Sequence, residues 1–283
     1  MTRRTIAREV YCDGVALHAG TPVHMSLAPG TPGKGIIFQR SDLGGREIPA
    51  FYAMVAETRL GTVINDGNIS VGVIEHLMAA VAGLGVDDLV VTLDGPEPPI
   101  LGGDAASYVA LFDEAGLRET SGVRRALKIR KKVTAESGDA YAVLEPAESF
   151  SFDFDIHFAS PAIGTQTFTW TFSTDGFRRE IAPARTFGFV AELEALHKMG
   201  LAKGATLENT LAIEGDHVLN AGLMRFPDEF VRHKILDALG DLALAGGPVV
   251  GKFEGHRSGH ALNNALLRAV FADPANYAWI EAD

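Results

Sequence analysis

Residues 229–244 read EFVRHKILDALGDLAL, and residues 71–86 read VGVIEHLMAAVAGLGV. At 100° per residue on a helix, Val231, Ile235, Leu239 and Leu242 fall within one arc of about 80°. His233, Asp237 and Asp241 occupy a second arc of similar width on the opposite side. The spacing predicts a helix with one face in the core and the other presenting an imidazole and two carboxylates one turn apart. In the other stretch Ile74, Leu77, Val81 and Leu84 follow the period of a buried helical face, with Glu75 and His76 at its margin. If the two helices meet, His76, His233 and Asp237 supply two imidazoles and a carboxylate for one zinc ion and a water. Glu75 is then an adjacent base for that water.

A His-x-x-x-acid spacing is weak alone, because on a helix such a pair is more often a surface pair than a ligand set. Two further elements strengthen it. One is the Glu75-His76 pair itself; the other is HRSGHALNN at 256–264, where His260 stands at the entry of a loop into a helix.

The order of elements around these helices is repeated. VHMSLAP, GIIFQR and TVINDG read as strands before the first helix, DLVVTLDG follows it, and a second helix is expected over 104–116. A basic, polar passage from Ser121 to Lys132 leads to the strands ALKIRKKVTAE, YAVLEP, SFSFDFDIHF and QTFTWTFS. FSFDFDIHF alternates apolar and polar residues throughout, the mark of a half-buried strand. Next come the loop IAPARTFGF, a segment over 190–214, the helix of His233, a strand VVGKFEG and a closing helix after His260. Each half thus runs strands, helix, strand, helix. Aligning HLMAAVAG from His76 with HKILDALG from His233 pairs the two histidines, which suggests a duplication as readily as two unrelated amphipathic helices.

Composition narrows the class. At 283 residues, 47% of them hydrophobic, the chain can bury one large core or two smaller ones. No apolar run reaches membrane-spanning length, and the first residues lack the apolar stretch of a secretory signal. Cys12 is the only cysteine, which excludes an intrachain disulfide and a cysteine zinc site. A net charge of −11 argues against nucleic acid or an anionic membrane surface as partner. A cytoplasmic enzyme is expected.

The motifs IEHLMAAVAGLGVDD, GPEPPI, ARTFGF, DEFVRHKILDALGDL and SGHALNN, with GVALHAG near the N-terminus, resemble those of the UDP-3-O-acyl-N-acetylglucosamine deacetylases. These are zinc amidases of lipid A biosynthesis. The resemblance implies an α+β fold of two similar domains, each a β-sheet with two helices, stacked as a β-α-α-β sandwich. The expected division is 1–122 and 123–283, the second domain carrying an acyl-chain insert at about 190–214. It implies a Zn2+ cofactor held by His76, His233 and Asp237, with Glu75 as base. Thr186 and a protonated His260 would stabilise the oxyanion, and Asp241 would keep His260 charged. The products are acetate and a free amine, and the substrate is a UDP-sugar with a 3-O-acyl chain. A monomer is expected.

Lys234 resembles a substrate-contacting lysine but equally suits a pair with Glu229 or Asp237, and Phe187 suits either the substrate or the core. Leu196, Met199, Leu201, Leu207 and Leu211 are candidates for an acyl passage, although core packing uses the same types. His18, His24, His157, His197, His217 and His256 are expected at the surface. Gly102-Gly103-Asp104 replaces the Asp-Gly-Ser usual after GPEPPI, Ser160 stands where a histidine or other polar group is frequent, and YAVLEP lacks a lysine found in some relatives. These departures leave acyl-chain length open, and with it the alternative of a zinc amidase of the same fold acting on a different N-acylated sugar or lipid. Iron is the alternative ion for such a ligand set. A non-catalytic sugar-nucleotide binder is the contrasting class, but it has no physical need to keep Glu75, Asp241, His260 and three ligands together.

Overall fold

The structure, a computed structural model, describes residues 1–282. Its two halves build five-stranded sheets with the same strand order. The first runs Val10–Val15, Pro22–Pro29, Leu89–Leu93, Ile36–Arg40, Arg46–Pro49; the second runs Val133–Ser137, Ala140–Glu145, Lys252–His256, Ser151–His157, Thr165–Thr171. In both, only the pair formed by the third and fourth strands across the sheet is parallel. A parallel pair needs a long crossover, and in each half that crossover contains the helix bearing the predicted site residues.

The helices are α1 (Glu75–Leu84), α2 (Ala106–Ala115), the short α3 (Thr174–Gly176), α4 (Val190–Lys198), α5 (Glu229–Ala243) and α6 (His260–Ala272). Three-stranded sheets precede the two central helices at equivalent places: Val55–Glu57, Val63–Asp66 and Ile69–Val71 before α1, and Phe187–Phe189, Leu211–Glu214 and His217–Val218 before α5. Helix α4 is inserted within the second of these. The result is the expected α+β architecture of two similar halves. Among the described residues no helix is long and apolar enough to cross a membrane.

The alternating strand behaves as its pattern dictates. Phe152, Phe154 and Ile156 point into the core, where the first two rings meet Phe253 at 5.6 and 5.9 Å between centroids. The expected strand ALKIRKKVTAE divides into Arg125–Ile129 and Val133–Ser137, which belong to different sheets, and a further strand precedes it. Leu117–Val123 pairs with Thr2–Ile6, and Arg125–Ile129 lies between Val249–Val250 and Tyr277–Glu281. Arg3 donates to the Asp88 carboxylate at 2.8 Å and the Arg4 N–H to that of Asp87 at 2.8 Å, so polar anchors hold the Thr2–Ile6 strand without apolar alternation.

Helices α1 and α5 meet at the centre, where nine residues of α1 are buried. Their separation is set by Gly240: a Cβ there would stand 2.0 Å from the carbonyl oxygen of Glu75. The residue equivalent to Gly240 in the repeat is Gly83, whose Cβ would strike the Phe177 ring at 2.1 Å. Each central helix therefore needs a glycine seven residues after its histidine, for close approach of a different neighbour.

Alanine at position 240 should improve local helix propensity by about 1 kcal/mol. Overpacking against the α1 backbone should outweigh this, leaving Gly240→Ala less stable by about 1–3 kcal/mol in urea unfolding. An unchanged or raised stability would mean that α1 and α5 do not depend on this contact.

Candidate active site

Along α5 the residues Glu229, His233, Asp237 and Asp241 succeed one another at one-turn intervals, and all four are buried. Burial of four polar side chains in a row is costly unless each has a partner. The partners come from α1, α6 and the loop before Thr186.

Two of these side chains, His233 and Asp237, converge with His76 of α1 with few protons between them. The rings of His76 and His233 stand edge to face, 4.9 Å between centroids. Asp237 Oδ1 lies 3.6 Å from His76 Nε2 and 3.3 Å from His233 Nε2. His233 donates its Nδ1–H to the Ala184 carbonyl at 3.0 Å, which leaves an Nε2 lone pair directed at Asp237. Lys234 Nζ occupies the other Asp237 oxygen at 2.7 Å, while among the described residues Oδ1 has no hydrogen-bond partner, nor has His76 Nδ1. Burial pushes His233 down to about 4, so it is neutral near pH 7. Burial alone would raise Asp237, but the surrounding His233, Lys234, His76 and His260 groups outweigh it and hold the carboxyl well below its usual range. One ligand atom from each of His76, His233 and Asp237 lies within 4.8 Å of the others. Converging acceptors with an orphaned buried oxygen fit a divalent ion of zinc's preferences.

A second cluster adjoins the first. His260 Nδ1–H donates to Asp241 Oδ2 at 2.8 Å, and Asn263 Nδ2 donates to the same oxygen at 2.8 Å. The opposite ring nitrogen, Nε2, faces Glu75 Oε1 at 3.9 Å. Burial would lower His260, but the anions of Asp241 and Glu75 prevail and raise it to about 9. Glu75 is raised by burial, an effect that His260 and His76 partly oppose. The pair thus combines a carboxyl of increased basicity with an imidazole that stays charged at neutral pH.

Both clusters open into a cavity of about 640 Å³. Glu75, His76, His233, Lys234, Asp237 and His260 form one wall, with Thr186 and Phe187 beside them. Asp241 sits behind, bonded to His260. Lys234 makes the Asp237 pair weighed as its ordinary role, and it also lines the cavity. Phe187 likewise serves two ends: its ring packs on Phe230 at 5.0 Å and on Phe158 at 5.6 Å while facing the cavity.

The apolar wing of the cavity differs in part from the sequence reading. Leu196 and Leu207 line it with Phe158 and Phe189, but Leu211 is in the core and Met199 is 55% exposed. His18 is not a surface residue without partners. Its Nε2 donates to the Leu60 carbonyl at 2.8 Å and its Nδ1 accepts the Ala202 N–H at 3.3 Å, at the cavity mouth. The departures also acquire roles. Asp104 pairs with Arg225 and accepts the Ser107 N–H in the first turn of α2 at 2.9 Å, while the Gly103 carbonyl accepts the Thr186 N–H at 2.8 Å. Ser160 donates to the Gly215 carbonyl at 2.7 Å. The sequence reading passed over Thr62 and Asn263. Asn263 was accessible to it, since it lies one turn after His260 in SGHALNN.

A family model described as UDP-3-O-acyl N-acetylglycosamine deacetylase matches residues 3–272. The chain belongs to this family. Among similar proteins, the UDP-3-O-acyl-N-acetylglucosamine deacetylase of Myxococcus xanthus (strain DK1622) is 46% identical over 281 residues, covering 99% of this chain and 90% of that protein. That of Acidithiobacillus ferrooxidans (strain ATCC 53993 / BNL-5-31) is 47% identical over 271 residues, 95% of this chain and 89% of the other. That of Phenylobacterium zucineum is 47% identical over 277 residues, 97% of this chain and 94% of the other. As a member of the deacetylase family, the chain is an enzyme whose converged polar groups lie in one cavity.

The raised His260 has a consequence for folding. A group whose affinity for protons increases on folding stabilises the fold fully below its unfolded value, here 6.5, and loses that effect as pH rises through about 9. For chelator-treated protein, the stability difference between the parent and His260→Ala in urea should therefore be largest near pH 6 and shrink toward pH 10. A difference that grows with pH would contradict a folded imidazolium.

Proposed function

We propose that this chain hydrolyses the 2-N-acetyl group of UDP-3-O-acyl-N-acetylglucosamine, releasing acetate, at an early committed step of lipid A biosynthesis. The observation that carries this reading is the meeting of His76, His233 and Asp237 beside the Glu75–His260 gap in one cavity. The names of the relatives supply the substrate.

His76, His233 and Asp237 would hold zinc. Bound there, zinc supplies a Lewis acid that makes water more acidic and polarises an acyl carbonyl. Glu75 takes the proton of the attacking water. Its Oε2 accepts the Thr62 N–H at 2.9 Å, which leaves Oε1 for that proton. As the water oxygen bonds to the acetyl carbon, negative charge grows on the carbonyl oxygen. Charged His260 and the Thr186 hydroxyl are donors for it. When the C–N bond breaks, the departing nitrogen needs a proton, and His260 Nε2 gives it while Nδ1–H stays on Asp241.

Lys234 and Phe187 contact the substrate at the cavity wall, and the apolar wing with Leu196 and Leu207 takes the 3-O-acyl chain. With this goes a division into domains 1–122 and 123–283, the insert at about 190–214 forming that wing. The equal strand order of the two sheets supports the division.

The purified protein should hold about one zinc per chain, and His76→Ala, His233→Ala and Asp237→Ala should each lower its affinity in chelator competition, since the ligands act together. Full metal retention by all three would sink the site.

Deacetylation of acylated UDP-GlcNAc separates base from ligands. Glu75→Ala should keep its zinc and lose roughly 10²–10⁴ in kcat, the usual scale for a general base. His260→Ala should remove the alkaline limb of the pH profile, and Asp241→Asn should move that limb to lower pH, because the imidazolium loses its anion. Near-normal turnover of Glu75→Ala would count against the mechanism.

A further inference from the structure

Thr62 is buried at 1% exposure and bonds two carboxylates that belong to different halves of the molecule. Its backbone N–H donates to Glu75 Oε2 at 2.9 Å, and its hydroxyl donates to Asp241 Oδ1 at 2.5 Å. Each carboxylate has two oxygens, and Thr62 takes one from each. What remains is one oxygen per group: Glu75 Oε1, which faces His260 Nε2, and Asp241 Oδ2, which accepts from His260 Nδ1. A carboxylate free to turn about its last bond would exchange these roles.

The backbone before Thr62 is held in a costly shape that serves this geometry. Leu60 has φ +62° and Gly61 φ +144°, both in the left-handed range. A leucine there is disfavoured, and such conformations persist where the surroundings enforce them. His18 holds the Leu60 carbonyl, and a Cβ on Gly61 would stand 3.1 Å from Glu75 Oε1. The turn therefore lays the chain against Glu75 with the Thr62 N–H aimed at one oxygen.

We propose that Thr62 is a positioning residue for the reaction, its hydroxyl fixing Asp241, and through it His260, while its N–H fixes Glu75. This rests on the reading that Glu75 and His260 act as base and acid. The hydroxyl and the N–H are separable, because Thr62→Val removes the first and keeps the second at nearly equal volume.

In the zinc-loaded enzyme, Thr62→Val should lower kcat by roughly 10–100-fold, the range for a hydrogen bond to a charged group, with KM within about twofold and zinc content unchanged. Thr62→Ser, which retains the donor, should recover most of the loss. In a His260→Ala background the same Thr62→Val change should cost about twofold or less, since the group it acts through is gone. Three results would each overturn the proposal: unaltered kcat in Thr62→Val, an equal fall in Thr62→Ser, or a full-sized further fall in the His260→Ala background. Failure of the underlying reading looks different, because then the parent enzyme itself does not deacetylate, or His260→Ala matches it.

Discussion

The contact between Gly240 on α5 and the Glu75 carbonyl on α1 governs the distances of the whole site. Without a side chain at 240 the helix backbones come close enough for edge-to-face contact of His76 with His233. Both imidazoles then address the same Asp237 oxygen. A wider spacing would separate the imidazoles and leave His233 and Asp237 without their neighbour from α1. The same approach brings Glu75 opposite His260, so that a carboxylate from one half faces an imidazole from the other.

Around this contact the polar groups are arranged in chains, each oriented by a partner. The peptide joining Ala184 to Arg185 is one such link: its carbonyl accepts from His233, and its N–H donates to Glu229 at 3.0 Å, one turn earlier on α5. Arg185, itself 2% exposed, pairs with the same carboxylate. A buried ion pair is weak evidence for stability, but here its members hold the carbonyl that selects the His233 tautomer. Asp104 and Arg225 secure the adjoining turn, so the departure at Gly102-Gly103-Asp104 is absorbed by an anchor built from this chain's own residues.

The sequence made α5 legible because its two faces differ so sharply in chemistry, and it made Ser151–His157 legible because the strand alternates without a fault. The histidines, Asp237, Asp241 and Glu75 sit on such periodic elements, and their convergence followed once α1 and α5 were paired. Thr62 could not be found that way. It lies after a turn with two left-handed residues, where no period operates, and its partners are 13 and 179 residues away. The Thr2–Ile6 strand escaped for a similar reason, since the Arg3 guanidinium and the Arg4 N–H are anchored to Asp88 and Asp87 in the connection after α1. Leu211 and Leu207 show the limit of residue type, for the same side chain fills the core at one position and lines the cavity at the other.

The division of the polar set between the two halves has a bearing on how the molecule is made. Glu75 and His76 leave the ribosome long before His233, Asp237, Asp241 and His260. The early half alone has one carboxylate and one imidazole of the set, and the late half alone has the remaining imidazoles and carboxylates. On the proposed mechanism, hydrolytic competence is therefore withheld from every partly synthesised or undocked form of the chain. It arrives only when the seam between the halves closes, and an ion bridging His76 to His233 and Asp237 would act as a clasp across that seam.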